Sequence, residues 1–501
     1  MKKRQFFDLY ASQGRALSFD DVRLKTFHSE VDPISVDITS LFSRRVGLKC
    51  PIVSAPMDTV TESRMAIAMA LAGGLGIIHR SLAFFAQVEE VGRVKTYLNA
   101  VIQKPVCVYQ DQTMEEIENE RRVKNYGFQS FPVLDRSGNP VGLLTEDEFI
   151  FCMDYQQSAA TMMKPVDQLI APIDTNVESA CSIMQTQRLK ALLLVDKKGV
   201  LHSMYAFSDV KRILSDSHSG YNIDSAGHLR VGAAIGVGDA AVEQALRLSE
   251  ADVDVLVIDS AHGDSLRVIE TLKALKRQCN PSIDVVVGNI SEGDSAERLV
   301  AAGADGIKVG QGPGSICTTR IIAGIGCPQL TAIDNCASTI FGSKIPVIAD
   351  GGIKNSGDIT IALAAGADCV MMGRLLAGTK EAPGDIVNIG GISYKVYRGM
   401  GSLGAMRDSE AARERYGSTG KDATVPEGVE GFVPYQGSVQ SVLQQYVGGF
   451  RRGLGYVGAA NIKELQEKAE FYLMSESGRR ESHPHDVEKI APTPNYKGGD
   501  D

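Results

Sequence analysis

Short runs of almost unbroken apolar residues recur along the chain, each followed by glycine or polar positions and then by a stretch with helical spacing. Eight such runs stand out: CPIVSAP (50–56), LGIIH (75–79), VGAAIG (231–236), VDVLVID (253–259), DVVVGN (284–289), GIKVG (306–310), IPVIADGG (345–352) and CVMMG (369–373). Continuous apolar character fits strands covered on both faces, and strands alternating with helices predict parallel β/α units. Thr59-Val60-Thr61-Glu62 predicts a capping box at one helix start, and the Ala-Gly pairs at 72–73, 302–303 and 365–366 predict helix C-termini. AAGADGIKVG (301–310) and AAGADCVMMG (364–373) nearly repeat one another. Eight units of this kind predict an α/β fold, a closed (β/α)8 barrel.

About 150 residues separate the second run from the third, more than one crossover needs. Within them FPVLDRSGNPVGLLTEDEF (131–149) and LLLVDKKGVLHSMYAFSDV (192–210) share one order: strand, polar turn with glycine, strand, acidic helix start. This predicts a tandem α/β module at 104–220, inserted between barrel parts at 1–103 and 221–475 and followed by a tail at 476–501. After the eighth run, YKVYRGMGSLGAM (394–406) and RERYGSTGKDATVPEGVEGFVPY (413–435) are glycine-rich, charged and weakly periodic. Residues 394–435 therefore read as a long mobile loop that closes over the strand ends.

Composition narrows the function. With 501 residues, 44% hydrophobic and 23% charged, the chain is long enough for two or three globular domains. A net charge of -9 argues against nucleic-acid partners and anionic membrane surfaces, while leaving room for a local phosphate pocket. The first residues lack the apolar core of a signal peptide and no stretch approaches the roughly 20 apolar residues of a membrane span, so a cytoplasmic protein is expected. Nine cysteines without a CxxC pair fit reduced thiols, not a disulfide framework or a structural zinc site.

One cysteine differs in context. Cys317 lies in KVGQGPGSICTTR (308–320), where glycines at 310, 312 and 314 predict positive φ and close approach to a ligand. A thiol there, near helix-terminal N–H groups, is a candidate nucleophile with increased thiolate character. The other eight read as small buried hydrophobes. The remaining candidates gather at predicted strand ends: Asp259, Ser260 and His262 after the fourth, Asn289 after the fifth, Asp350-Gly351-Gly352 after the seventh, and Gly373-Arg374 after the eighth. Glycine N–H groups with Arg374 suit a phosphate and Asp350 suits ribose hydroxyls, at the face where such barrels hold active sites. GVGDAA (236–241) matches a Rossmann fingerprint but sits inside a run of equivalent β/α units.

SAPMDTVTE, GPGSICTTR, IADGG, YRGMGSLGAM, RY, PEGVEG and ESHPHDV occur in the order found in the inosine-5'-monophosphate dehydrogenase family, which the chain resembles over nearly its whole length. The inserted repeat resembles that family's pair of CBS modules. The resemblance implies oxidation of IMP to XMP with NAD, attack of Cys317 on C2 of the purine, hydrolysis of the resulting thioimidate, a homotetramer, a potassium ion and purine nucleotide regulators at the CBS pair. By motif, Ser315, Asp350, Gly351, Gly352, Gly373, Arg374, Tyr397, Arg398, Gly399, Met400, Gly401 and Glu427 fall where the family holds IMP. Asp259, with Ser260, Asn289, Gly310, Gln311 and Gly312, falls where it holds the dinucleotide. Carbonyls of Gly312, Gly314 and Cys317, with Glu481, Ser482 and His483 of a neighbouring subunit, match the potassium site. Arg415 and Tyr416 match the dyad in which arginine acts as the base on water, and Thr319 matches the residue that helps hold that water. Three positions depart from the pattern: Arg374 replaces a common serine, Glu148 replaces the aspartate of T-x-x-D in the first module, and Ala206 replaces the threonine before Asp209 in the second. The related GMP reductase, which deaminates GMP with NADPH, and a catalytically inert CBS nucleotide sensor are the alternatives.

Overall fold

The structure, a computed structural model, describes residues 3–98, 101–103, 105–124, 126, 130–215, 220–416, 425–486 and 493. All eight apolar runs form strands, and these close into a parallel barrel in the order β3-β4-β5-β6-β7-β8-β1-β2. The strands are β1 Ile52–Ser54, β2 Leu75–Ile78, β3 Gly232–Ile235, β4 Val255–Asp259, β5 Asp284–Ile290, β6 Gly306–Val309, β7 Val347–Asp350 and β8 Cys369–Met372. Val53, Leu75, Ile77, Val255, Val257, Val286, Ile348 and Met371 fill the interior, as expected of a packed barrel core. The hairpin Ser40–Leu41/Gly47–Leu48 adds Phe42, Val46 and Leu48 to this cluster. Arg44 N–H donates to the Asp305 carbonyl and Ser43 Oγ to Asp284, residues at the starts of β6 and β5, so this hairpin closes the N-terminal end of the barrel. The C-terminal strand ends remain for chemistry.

The helix ends divide between expectation and correction. Gly73 (φ 82°), Gly303 (φ 103°) and Gly366 (φ 128°) end their helices in conformations that suit glycine. The capping box at Thr59 to Glu62 does not form: the helix runs Ser63–Leu71, and Thr59 Oγ1 accepts instead from the Arg398 N–H at 3.4 Å. The helix start is satisfied by a distant residue, with the Ser63 N–H donating to Glu90 at 2.6 Å. GVGDAA belongs to the β3 unit of the barrel, with Gly238 (φ 83°) preceding the helix Asp239–Glu250.

The chain divides into two compact units, Met1–Tyr97 with Gly220–Asp501, and Leu98–Ser219. The second contains two four-stranded sheets. Each half carries a strand pair joined through a glycine turn and followed by a helix: Phe131–Leu134, Pro140–Leu144 and Glu146–Ile150 in one, Ala191–Val195, Leu201–Ala206 and Phe207–Ser215 in the other. Thr145 N–H and Oγ1 both donate to Glu148 Oε2, at 2.7 and 2.6 Å, so Glu148 caps its own helix.

Residues 394–435 differ from the loop that the sequence suggests. A three-stranded antiparallel sheet joins Ile386–Ile389, Ile392–Arg398 and Glu430–Pro434, and the helices Leu403–Asp408 and Glu410–Arg415 follow the second strand. Gly390 and Gly391, both at positive φ (61° and 84°), make the turn of the first hairpin. Residues 417–424 of this segment lie outside the described residues.

Candidate active site

The sharpest feature of the rim is a buried ammonium. Lys308, on β6, is fully buried, and its Nζ donates to Asp259 Oδ1 at 3.1 Å, to Asp350 Oδ2 at 3.0 Å and to Asn289 Oδ1. Asn289 Nδ2 in turn donates to Asp350 Oδ2 and to the Gly310 carbonyl, both at 2.8 Å. A charge removed from water persists only when paired and hydrogen-bonded, and this network meets both conditions. It fixes the ends of four consecutive strands, β4 to β7. Sequence reading missed Lys308; the available signal was a lysine inside the apolar run GIKVG.

Next to this network the cysteine loop is stitched to the segment after residue 425. Cys317 pairs with Gly428 in an isolated antiparallel bridge, Val429 N–H donates to the Ile316 carbonyl at 3.0 Å, and Thr318 N–H to the Glu427 carbonyl at 3.0 Å. The Cys317 thiol donates to Thr319 Oγ1 at 3.2 Å, and the Thr319 hydroxyl donates to Glu427 Oε2 at 2.7 Å. Three side chains thus form a continuous path from thiol to carboxylate. Gly310 (φ 148°) and Gly312 (φ 79°) take positive φ, whereas Gly314 is not among the positive-φ glycines, contrary to expectation. A Cβ on Gly310 would lie 2.1 Å from the Asp350 carbonyl oxygen, so this glycine lets the loop pass over the end of β7. Of the other cysteines, burial pushes Cys50 up to about 12 and Cys107 and Cys327 up to about 11, which keeps those thiols protonated at neutral pH.

A second group of candidates surrounds the ends of β7 and β8. Gly351 (φ 91°) and Gly352 (φ 83°) use the left-handed region, and a Cβ on Gly351 would crowd Pro313 at 3.1 Å. A Cβ on Gly373 would meet the Tyr397 hydroxyl and Met57 Sδ, each at 3.1 Å. Burial pushes the Tyr397 phenol up to about 12, partly offset by a hydrogen bond with Ser315. Arg374 begins the turn after β8 as an exposed guanidinium without an ion-pair partner among the described residues. Arg398, by contrast, is committed: its guanidinium donates to Asp58 at 3.0 and 2.8 Å and to Asp408 at 2.8 Å, and these partners raise its pKa further. Met400 packs with Ala405, Met406 and Ala412, and a Cβ on Gly399 would lie 3.0 Å from the Ile316 carbonyl oxygen.

The helix Glu410–Arg415 brings a cation to this rim. Arg415 Nη1 is ion-paired with Asp259 Oδ2, and Glu414 receives Arg80 at 2.9 Å and Arg267 at 3.4 Å. The ring of Tyr416 lies where a Cβ on Gly401 would be only 2.8 Å away. Burial lowers the Arg415 pKa and the Arg80 charge acts in the same direction, while Tyr416 opposes them. Burial raises the Tyr416 phenol, with smaller upward contributions from Cys317 and Glu427 and a downward one from Arg415. The contact with Asp259 favours the charged guanidinium and so works against that downward shift.

Gln311 Oε1 accepts from Ser291 at 2.8 Å and its Nε2 donates to the Ala261 carbonyl at 3.3 Å, while Ser260 Oγ donates to the His262 carbonyl at 3.1 Å. These polar groups border Asp259 and suit a hydroxyl-rich ligand. Among the described residues no donor reaches the carbonyls of Gly312 or Cys317, whereas the Gly314 carbonyl accepts the Cys317 N–H at 3.1 Å. Unengaged carbonyls are hard oxygen ligands of the kind a monovalent cation takes. Glu481, Ser482 and His483 are at the end of the exposed helix Glu476–Glu481, where Ser482 Oγ donates to the Gly478 carbonyl at 2.8 Å.

Comparison with known proteins agrees with this fold. The family model described as IMP dehydrogenase / GMP reductase domain matches residues 16–485. The chain is 46% identical over 482 residues to inosine-5'-monophosphate dehydrogenase of Aquifex aeolicus (strain VF5), covering 96% of this chain and 97% of that one. It is 42% identical over 484 residues to the enzyme of that name from Helicobacter pylori (strain J99 / ATCC 700824), covering 97% and 99%. Among solved structures it is similar to a cysteine-to-alanine variant of GMP reductase from Trypanosoma brucei in complex with guanosine 5'-monophosphate. That likeness has a TM-score of 0.85 and 38% identity over 94% of this chain and 98% of the other.

Proposed function

The chain belongs to the IMP dehydrogenase / GMP reductase family of oxidoreductases, and within that family we propose that it oxidises IMP to XMP with NAD through a covalent adduct on Cys317. The observation that carries this reading is the thiol path from Cys317 through Thr319 to Glu427, beside an arginine-tyrosine pair. As the Cys317 sulfur bonds to C2 of the purine, its proton can leave along that path. NAD, when bound, takes the hydride that leaves C2. The thioimidate left on Cys317 is then hydrolysed: water adds at C2, loses a proton to Arg415 assisted by Tyr416, and the carbon–sulfur bond breaks to release XMP and restore the thiol. An arginine base needs a depressed pKa, and the burial of Arg415 acts in that direction against the Asp259 carboxylate.

Binding roles follow from the rim. Asp350, oriented by Lys308 and Asn289, receives the ribose hydroxyls of IMP. Ser315, Gly351, Gly352, Gly373, Arg374 and Tyr397 receive its phosphate, Arg374 as a bidentate donor. Arg398, Gly399, Met400 and Gly401 contribute backbone and shape, since the Arg398 side chain is taken by Asp58 and Asp408. Asp259, Ser260, Asn289, Gly310, Gln311 and Gly312 would hold the dinucleotide. Asp259 cannot serve a ribose hydroxyl and the Arg415 guanidinium at once, so the docked helix corresponds to the hydrolytic half of the cycle. Carbonyls of Gly312, Gly314 and Cys317 would hold potassium with Glu481, Ser482 and His483 of another subunit of a homotetramer. Residues Leu98–Ser219 would be a CBS pair. Glu148 caps its own helix, so a purine nucleotide in the first module has to be held by other groups.

The likeness to GMP reductase structures supports a second reading, NADPH-dependent conversion of GMP to IMP. One assay separates the two: NADH formation from IMP and NAD, with and without potassium, against NADPH oxidation and ammonia release from GMP. The dehydrogenase reading requires the first and is overturned by the second alone.

A further inference from the structure

Away from the strand ends, the helix Lys3–Ser12 and Arg15 border a half-open cavity of about 350 Å³ together with the helices Gly293–Ala301 and Gln329–Thr339. Its innermost charged group is Asp334, 7% exposed. Among the described residues nothing hydrogen-bonds or ion-pairs with this carboxylate: the Thr331 hydroxyl beside it accepts from Leu17 N–H, and the Thr339 and Ser338 hydroxyls donate to the Asn335 carbonyl. The cations of the covering helix do not neutralise it by contact. Arg4 pairs with Asp8 at 3.2 Å, and Lys3 acts on Asp334 only through space. Burial dominates, pushing the carboxyl up to about 6, with Lys3 and Arg4 pulling down and Asp8 adding to the rise. Glu292 and Asp294 border the same cavity from the facing helix, and the helix of Asp334 carries no other carboxylate and no base.

A carboxylate without a partner is costly to bury, and here it faces space far larger than one water needs. The volume is at the lower end of small-molecule pockets, too roomy for a bare ion. Phe7 and Tyr10 supply aromatic wall, which attracts a cation through its ring faces. We propose that this cavity is a binding site for a small organic cation of the amine or guanidine class, with its N–H head on Asp334 and its body against Phe7 and Tyr10. The proposal is independent of the reaction at the strand ends.

The test uses the full chain and agmatine, which carries both a guanidinium and an ammonium, followed by calorimetry at pH 7.5 and pH 5. Saturable binding with one site per chain is expected at pH 7.5. At pH 5 the affinity falls about tenfold, because a carboxyl that titrates near 6 is then about nine-tenths protonated. Asp334→Asn abolishes binding, while its IMP oxidation matches the wild type, which checks folding. Ala11→Trp, placed on an exposed position of the covering helix, fills the cavity and weakens binding with Asp334 intact. Absence of saturable binding at pH 7.5, equal affinity in Asp334→Asn, or equal binding of neutral 1,4-butanediol overturns the proposal.

Discussion

The rim of the barrel and the helix Glu410–Arg415 both present charged groups to the same small space, but they are held in different ways. Lys308, Asp259, Asn289 and Asp350 project from four barrel strands, and their mutual hydrogen bonds are buried. Arg415 ends a helix of six residues that is anchored largely by ion pairs, to Asp259 directly and to Arg80 and Arg267 through Glu414. The first set is preorganised by the backbone, which suits a purine nucleotide that must meet the thiol in fixed geometry. The second is dockable, which suits a group needed in only one half of a cycle. One carboxylate, Asp259, belongs to both.

Cys317→Ala removes the chemistry from the fixed set without disturbing its binding groups. Turnover is expected to fall by about 10³-fold or more while IMP affinity changes little. Peptide mass spectrometry of wild-type protein with IMP and NAD is expected to find the adduct on Cys317; an adduct on another cysteine removes the assignment.

Lys308→Met tests preorganisation. It leaves Asp259 and Asp350 without their shared cation, and breaking a buried pair in this way costs about 3–5 kcal/mol. A lower thermal midpoint and a roughly 10²-fold loss in kcat/KM are expected, with weaker IMP binding. Stability and IMP affinity equal to wild type would show that the network does not organise the rim.

Glu414→Gln loosens only the dockable set. Partly buried ion pairs contribute on the order of 1 kcal/mol, so hydrolysis is expected to slow about fivefold, with the first NADH-forming step unchanged. Added salt is expected to slow wild-type hydrolysis in the same direction and to affect the variant less. A salt response identical in both proteins would assign docking to apolar packing.

The two regions also differ in how far the sequence reveals them. The strands were legible because burial on both faces writes a continuous apolar run, and their ends were legible because glycines at 310, 351 and 352 take conformations that favour glycine. Lys308 was hidden by the same rule: one lysine in such a run reads as an interruption, and its partners are 49, 19 and 42 residues away. The sheet at Ile386–Pro434 was also missed, because the strand Ile392–Arg398 finds its second partner only after the segment that carries Arg415. Arg398 shows that a motif names a residue without naming the atoms it uses. Its place in YRGMG suggested a ligand contact, but Asp58, 340 residues away, takes the side chain.

The division between fixed rim and dockable helix is tested most directly by single-turnover kinetics of Arg415→Ala with IMP and NAD. The account predicts a burst of NADH equal to that of the wild type, followed by a stall with purine covalently held on Cys317. Steady-state turnover then falls by about 10²-fold, as for loss of a general base. Because a base acts unprotonated and hydroxide can replace it, raising the pH is expected to recover part of that loss. A variant that loses burst and steady state in equal measure would contradict the account, since Arg415 would then be part of the fixed machinery for the first step.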